Sequence, residues 1–357
     1  MTRTGWGLAA GLLAAMAASA PLAQDVRGRI LPERPYVEQT VHGQALNFDL
    51  ALENRSASPV QLTELEVTFV AADGGDILTR RLDGNGSAPS ILTLPERTVE
   101  PGSERLLFNP FEYAPPGETV ASVRVRATLA TDGAEDVVLA FEAPTRAAAG
   151  DAPWLSPVTG RVLVWDGHDA LSHHRRWDYL LPPLKAFGFV SNAMRYSYDF
   201  VPVDAAGRTH DGDGARNEDW FGFGRPVRAP EAGVVVQVRD DRPDDRRFDP
   251  SELAQDINLV FGNVVVLEHF DGTFSMLGHV KQGSATVAVG DRVEAGQTVA
   301  AIGASGSSLF PHLHYQRVDG ADMRGEGVPS TFRNLTLVRS GEPAYGHVDS
   351  GDVFTAH

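Results

Sequence analysis

Apolar and polar residues alternate in several short stretches of the N-terminal half of the chain. Residues 46–54 (LNFDLALEN) and 60–71 (VQLTELEVTFVA) show this period of two, and residues 122–130 and 136–143 repeat it. Successive side chains of a β-strand point to opposite faces, so the pattern indicates strands that are buried on one face. Clusters of Asp, Asn, Gly and Pro separate the stretches, without helical periodicity between them. We therefore predict an immunoglobulin-like β-sandwich over residues 27–145.

The chain changes character after residues 145–153 (TRAAAGDAP), whose small and polar residues suit a linker. The following part is richer in His, Trp and Gly, and short apolar stretches alternate with glycine-containing turns. These features predict a second domain over residues 151–340 and a C-terminal tail over residues 341–357.

The first 23 residues have the pattern of a cleavable secretory signal. Arg3 precedes an apolar stretch of mostly Ala and Leu, and small residues come before Gln24. The stretch is shorter than the roughly 20 apolar residues of a membrane-spanning helix. We therefore predict cleavage after Ala23, a periplasmic or secreted protein, and no membrane insertion once the signal is removed.

Charge and cysteine content exclude two classes of function. The formal net charge is −16, so the phosphates of a nucleic acid would be repelled and nucleic acid is not an expected partner. The chain contains no cysteine, which excludes both a disulfide framework and a thiol nucleophile.

The residues with the clearest chemistry are in the motif PHLHY (311–315). On a strand, His312 and His314 project from the same face, since they are two positions apart. Two imidazoles on one face can serve one metal ion, or one can bind the metal while the other transfers protons. An H-x-H pair alone also fits two surface histidines, so the neighbouring motifs decide between the two interpretations.

Those motifs form an ordered set. They are RPVRAPEAGVVV (225–236), GNVVVLEHFDG (262–272), Gly278-His279, VAVGDRVEAGQTVAAIGASG (287–306) and PHLH (311–314). Together they resemble the LytM/lysostaphin-type zinc metallopeptidase family over residues 220–340. The resemblance implies an antiparallel β domain whose loops frame a groove, so the predicted fold class is all-β throughout. It also implies a Zn²⁺ cofactor and peptidoglycan peptides as the substrate.

The same resemblance implies a set of site residues. In that family, zinc is held by the His and the Asp of an H-x-x-x-D motif and by the second His of H-x-H. Two further histidines assist catalysis. Carried over by motif, Asp199 and His314 are zinc ligands, and His279 and His312 are the assisting catalytic pair.

The chain departs from the family pattern at Arg195, which stands four residues before Asp199 where the first histidine is expected. A cation about 4 Å from Zn²⁺ would be repelled by roughly 8 kcal/mol at an effective dielectric constant near 20, so Arg195 cannot replace this ligand. The segment DGHDALSHHRRWDY (166–179) offers three upstream histidines instead. We predict His174 as the third zinc ligand, with His173 as the next choice and His168 also open.

The predicted function is an exported, zinc-dependent endopeptidase that hydrolyses peptide bonds in peptidoglycan crosslinks. The alternative is a catalytically inactive domain of the same type that binds cell wall or regulates other hydrolases. Arg195 in a ligand position favours this alternative. The hairpin at residues 289–303 also resembles lipoyl carrier domains, but Lys185 and Lys281 are the only lysines and neither lies at its tip. The sequence does not identify a regulatory protein partner.

Overall fold

The computed structural model describes residues 25–40, 42–132, 135–148, 154–338 and 348–357. The predicted signal segment and residues 149–153 of the predicted linker lie outside these ranges. Within them, β-strands dominate and the one α-helix, α1 (Pro182–Ala186), is a single short turn, so the predicted all-β fold class is confirmed. No helix in the described ranges has the length and apolar character needed to cross a bilayer.

Residues 25–148, the N-terminal module, form three small sheets around a shared apolar core. The first sheet contains β1 (Val26–Leu31), β4 (Asp49–Asn54) and β8 (Ser103–Phe108). The second contains β5 (Val60–Val70), β6 (Asp76–Asp83), β7 (Thr98–Val99), β10 (Ser122–Ala130) and β11 (Val137–Pro144). The third contains β2 (Tyr36–Thr40), β3 (Gly43–Leu46), β9 (Tyr113–Ala114) and β12 (Arg146–Ala147).

The period-two patterns of this module become strands with one buried face. In β10, Val123, Val125, Ala127 and Leu129 are buried and alternate with residues that are more exposed. The strand pairs antiparallel with β5 on one side and with β11 on the other. The strands predicted at residues 60–71 and 122–130 therefore coincide with β5 and β10, while the immunoglobulin-like connectivity stays a prediction.

The C-terminal half is built on one nine-stranded sheet in which all neighbouring strands are antiparallel. In spatial order it contains β19 (Arg292–Val293), β16 (Gly233–Arg239), β17 (Val264–His269), β18 (Phe274–Gly278), β21 (Leu313–Val318), β14 (Tyr198–Pro202), β13 (Gly160–Asp166), β23 (Val353–Ala356) and β22 (Leu335–Leu337). A separate two-stranded sheet contains β15 (Pro226–Arg228) and β20 (Thr298–Ala301).

The central strand β21 is buried along its whole length. On one face, Leu313 and Tyr315 belong to the main apolar core together with residues of β13 to β18 and β20. His314 and Gln316 alternate with them and project from the opposite face. The strand therefore separates the apolar core from the face that carries the predicted chemistry.

Residues 348–357 fall in the segment that the sequence analysis treats as a tail, and they include β23. This strand lies between β13 and β22. Ser350 Oγ accepts a hydrogen bond from the backbone N–H of Gly167 at 2.9 Å, and Asp169 accepts one from the backbone N–H of Ser350 at 2.9 Å. A strand of four residues gives too short a period-two signal to be recognised in the sequence.

Candidate active site

Three neighbouring strands bring distant parts of the sequence to one place. Asp199 on β14 lies directly opposite His314 on β21, and Gly278 at the end of β18 lies opposite the same histidine on its other side. His279 follows Gly278 in the chain. The sheet register therefore places the Asp and both histidine motifs at one end of the domain.

A histidine from a preceding loop completes a possible metal-binding group. The ligand atoms of His174, Asp199 and His314 all lie within 4.8 Å of one another. Asp199 Oδ1 is 2.9 Å from His314 Nδ1 and 3.5 Å from His174 Nε2. Two ligands of a tetrahedral zinc ion, each about 2.1 Å from the metal, lie roughly 3.4 Å apart. This set of two nitrogens and one carboxylate oxygen fits zinc, and its role as the ligand set stays a prediction.

The ionisation states of these groups also suit a metal. Burial lowers the pKa of His174 to about 3, so the imidazole is neutral near pH 7 and keeps a free lone pair. Burial alone would raise the pKa of Asp199, but the neighbouring His312, His174 and His314 together outweigh it and hold that pKa well below its ordinary value. Metal ligands bind as neutral imidazole and ionised carboxylate, which are the forms of His174 and Asp199 here.

His314 is oriented by a glutamine that the sequence analysis does not identify. The Nε2–H of His314 donates to Gln316 Oε1 at 2.9 Å, which leaves Nδ1 facing Asp199. Gln316 is fully buried, and its amide nitrogen lies 3.4 Å from the sulfur of Met276. Since Gln316 is two residues beyond His314, the same period-two argument that pairs His312 with His314 could have found it.

We expect Gln316→Leu to weaken zinc binding by about 10- to 100-fold, because removing an outer partner of a histidine ligand frees its tautomer and ring orientation. Competition with a chromophoric chelator measures the affinity. Gln237→Leu is the matched control, since Gln237 lies on β16 of the same sheet and, among the described residues, its Oε1 accepts only from Asn258, at 2.9 Å. Equal affinities for the wild type and Gln316→Leu would contradict the prediction.

His174 is held by Asp166, at the end of β13. The backbone N–H groups of His173 and His174 both donate to this carboxylate at 3.1 Å. His174 Nδ1 lies 3.1 Å from Asp166 Oδ2 and 3.3 Å from the Gly167 carbonyl oxygen, so Nε2 is the nitrogen directed at Asp199. Asp166 opens the segment that the sequence analysis searched for histidines, but its role was not predicted.

The other two upstream histidines are placed differently. The ring centroid of His173 is 6.1 Å from that of His174, and His173 lines the cleft described below. His168 Nε2 lies 3.3 Å from Glu38 Oε2 of the N-terminal module, and its ring packs 5.0 Å from the ring of Tyr198. His168 is therefore part of the contact between the two halves of the chain.

The predicted assisting pair also lies at the site. The ring centroids of His279 and His312 are 4.8 Å apart. His279 Nδ1–H donates to the carbonyl oxygen of Ser305 at 2.8 Å, and His312 Nδ1–H donates to the carbonyl oxygen of Phe310 at 2.8 Å. His312 Nε2 lies 3.4 Å from Asp199 Oδ1. Each ring is thus fixed through Nδ1 and leaves Nε2 for chemistry.

The glycine loop at residues 303–306 explains how His279 is seated. A Cβ atom on Gly306 would lie 2.2 Å from the backbone nitrogen of Gly262, so the two backbones can touch only because both residues are glycine. This contact brings the Ser305 carbonyl to His279, which itself has a left-handed backbone with φ of 58°. A non-glycine residue with a left-handed backbone conformation is strained, and such strain concentrates at functional sites.

The site opens into a cleft of about 650 Å³. One wall carries the histidines and Asp199, and the remaining lining is mainly aromatic and aliphatic. No Lys or Arg is found among the described residues that line it. The principal apolar lining residues are Trp165, Trp177, Leu184, Phe248, Leu253 and Leu309.

Arg195, which stands in the position of the family's first histidine, is directed away from the site. Its Nη1 lies 2.5 Å from Asp49 Oδ2 of the N-terminal module, and its Nε lies 2.6 Å from Glu326 Oε1. The side chains of Arg195 and Asp49 are fully buried. The guanidinium is therefore neutralised by two carboxylates and does not oppose a metal ion at Asp199.

Comparison with known families agrees with this geometry. The family model described as Peptidase family M23 matches residues 219–324. These residues are therefore similar to peptidase family M23. The predicted relationship to the LytM/lysostaphin type is thereby confirmed. The matched region of the M23 domain contains His279, His312 and His314, whereas His174 and Asp199 precede it.

Individual relatives match parts of the chain. The glycyl-glycine endopeptidase ALE-1 of Staphylococcus capitis is 32% identical over 124 residues, which are 34% of this chain and 28% of the relative. The chain thus spans less than a third of the length of this curated relative. The catalytic domain of lysostaphin from Staphylococcus simulans is 24% identical, with a TM-score of 0.26 and coverage of 39% of this chain and 78% of that one. A mutant catalytic domain of the prophage-encoded M23 protein EnpA from Enterococcus faecalis is 23% identical, with a TM-score of 0.23 and coverage of 36% and 92%.

Proposed function

We propose that this protein is an exported, zinc-dependent endopeptidase that hydrolyses peptide bonds in peptidoglycan peptides. The observation that carries the proposal is the group of His174, Asp199 and His314 with ligand atoms within 4.8 Å, beside two further histidines in one cleft. Two findings support it: M23 peptidases are generally zinc-dependent, and the relative from Staphylococcus capitis is named a glycyl-glycine endopeptidase.

His174, Asp199 and His314 would hold the zinc ion. When bound, zinc polarises the scissile carbonyl group and lowers the pKa of water to about 7. Asp199 supplies the negative charge of the ligand set. Gln316 fixes the ring of His314 through a hydrogen bond at Nε2, and the Gly167 carbonyl and the Asp166 carboxylate both lie against Nδ1 of His174.

His279 and His312 would handle the protons and the developing charge. In the neutral ring of His279, Nδ1–H donates to the Ser305 carbonyl, so Nε2 carries the lone pair and accepts a proton from the attacking water. Burial lowers the pKa of His312, but the Asp199 carboxylate and the Phe310 carbonyl together outweigh burial and raise it. His312 can therefore donate from Nε2 to the oxygen that gains negative charge.

This arrangement removes the observation that favoured a catalytically inactive domain. The inactive alternative rested on Arg195 in a ligand position, and the Arg195 guanidinium lies on Asp49 and Glu326 instead. His174 lies near Asp199 at the distance that a shared metal requires. The hydrolase is therefore the function that the geometry supports best.

The test is hydrolysis of crosslinked muropeptides, followed by mass spectrometry of the products and by labelling of new amino termini. We expect cleavage by the wild-type protein, loss of cleavage after treatment with 1,10-phenanthroline, and recovery when zinc is returned. His312→Asn is expected to keep zinc and to lower kcat by about 10²- to 10⁴-fold, the range for loss of a proton-transfer group.

His210→Asn is the control for His312→Asn, since the His210 ring packs against Trp220 and is not part of the ligand set. Cleavage that survives chelation would contradict the zinc-dependent mechanism. A protein that retains zinc but releases no new amino termini would contradict hydrolysis and favour a binding function.

A further inference from the structure

The segment that carries His174 is held by other parts of the protein and not by its own secondary structure. Residues 167–181 contain neither a strand nor a helix. Most of a loop's conformational freedom is lost when it is fixed in one arrangement, and tertiary contacts must offset that entropy. We call residues 167–181 the His174 segment. The contacts that fix it therefore determine whether His174 faces Asp199.

Polar contacts to the His174 segment come from the N-terminal module as well as from Asp166, Asn192 and Ser350 of the C-terminal half. Arg175, the residue next to His174, is fully buried, and its Nη2 donates to the carbonyl oxygen of Asn109 at 3.0 Å. The Asn47 amide nitrogen donates to the carbonyl oxygens of His168 at 3.4 Å and Arg195 at 2.9 Å. One buried asparagine of the module thus bridges the start of the segment and the strand entry before Asp199.

Apolar packing holds the other end of the same segment. Tyr179 and Leu180 belong to one buried cluster with Ala51 and Leu106 of the N-terminal module. The Arg195 guanidinium adds a buried ion pair to Asp49, which lies on β4 beside Ala51. The module therefore contacts the His174 segment on both sides of His174 and also contacts the approach to Asp199.

We propose that the N-terminal module is a positioning part of the metal site, because it holds the His174 segment in the conformation that presents His174 to Asp199. The inference rests on the proposed function, since it treats His174 as a zinc ligand. It also accounts for Arg195. Arg195 stands where the family has its first histidine, and in this chain it anchors the N-terminal module. The module in turn holds the His174 segment, which supplies the replacement ligand.

Asn47→Ala tests the proposal, with Asn54→Ala as the matched control. Both asparagines are buried, but the Asn54 amide nitrogen donates within the module, to the carbonyl oxygens of Ser58 and Val99 at 2.9 Å. Both variants lose buried hydrogen bonds, so both are expected to unfold more easily than the wild type. Only Asn47→Ala removes contacts to the His174 segment and to Arg195.

Two measurements on the full chain separate positioning from general stability. Chelator competition gives the zinc dissociation constant, and the visible spectrum of the Co²⁺-loaded protein reports the ligand geometry. We expect Asn47→Ala to weaken zinc binding by about 10- to 100-fold and to alter the Co²⁺ spectrum. Asn54→Ala should match the wild type in both. Equal affinities in all three proteins, or equal weakening in both variants, would overturn the proposal.

Hydrogen exchange of the metal-free proteins distinguishes failure of this inference from failure of the proposed function. Amides of residues 167–181 are expected to exchange about tenfold faster in Asn47→Ala, but not in Asn54→Ala. If the wild type binds no zinc, the proposed function fails whatever the exchange result. If zinc binds and the exchange rates of the segment are the same in both variants, the positioning role fails and the metallopeptidase stands.

Discussion

His174→Ala is expected to abolish zinc binding and to lower peptide-bond hydrolysis by at least about 10⁴-fold, a loss typical of removing an essential catalytic group. His174 Nε2 lies 3.5 Å from Asp199 Oδ1, and without it only Asp199 and His314 remain of the ligand set. Two protein ligands fall short of the three that catalytic zinc sites use. Elemental analysis of the purified protein and initial rates on crosslinked muropeptides measure the two effects.

His173→Ala provides the control, because His173 is the adjacent histidine and its ring lines the same cleft. We expect this variant to keep its zinc and most of its kcat. Zinc retained at wild-type affinity in His174→Ala would show that the third ligand is wrongly assigned. Loss of zinc in His173→Ala but not in His174→Ala would transfer the role to His173.

Arg195→His is expected to destabilise the protein by about 3–5 kcal/mol and not to create a metal ligand. Although it restores the family's H-x-x-x-D spacing, it removes the buried cation between Asp49 and Glu326. An uncompensated buried carboxylate carries a large desolvation penalty. The position also faces the N-terminal module, so a shorter imidazole there would point away from Asp199.

Chemical denaturation measures the unfolding free energy of this variant. Arg81→His is the surface control, since Arg81 forms an exposed pair with Glu64 and such pairs contribute about 0–1 kcal/mol. The double variant Arg195→His/His174→Ala should remain free of zinc. Recovery of zinc in that double variant would mean that position 195 can reach the site, contrary to the geometry described above.

The parts of the fold that sequence could predict are those that depend on short-range periodicity. Alternation over residues 60–71 and 122–130 predicts β5 and β10. The same rule places His312 and His314 on one face and could have added Gln316. The spatial order of the nine strands cannot be predicted in this way, because hydrogen-bonded neighbours such as β14 and β21 are separated by more than a hundred residues.

The choice of the third metal ligand shows more clearly what the sequence alone cannot predict. The misfit at Arg195 directs attention to the histidines upstream of it, because the electrostatic argument excludes arginine as a ligand. Which histidine approaches Asp199 depends on Asp166 and on the docking of the N-terminal module. The partner of Arg195, Asp49, lies 146 positions away, and no local pattern connects the two residues.

The hydrogen bonds around His174 also bear on the order of folding. The carbonyl of His168 bonds to Asn47, 121 positions earlier, and the N–H of Gly167 bonds to Ser350, 183 positions later. Contacts of such sequence separation form late, because long loops must close first. A chain folding from its N-terminus as it is synthesised would complete the core of the N-terminal module long before the His174 segment is held on both sides. The cleft would therefore be the last part of the protein to mature, and a nascent chain would carry no working peptidase until nearly all of it had emerged.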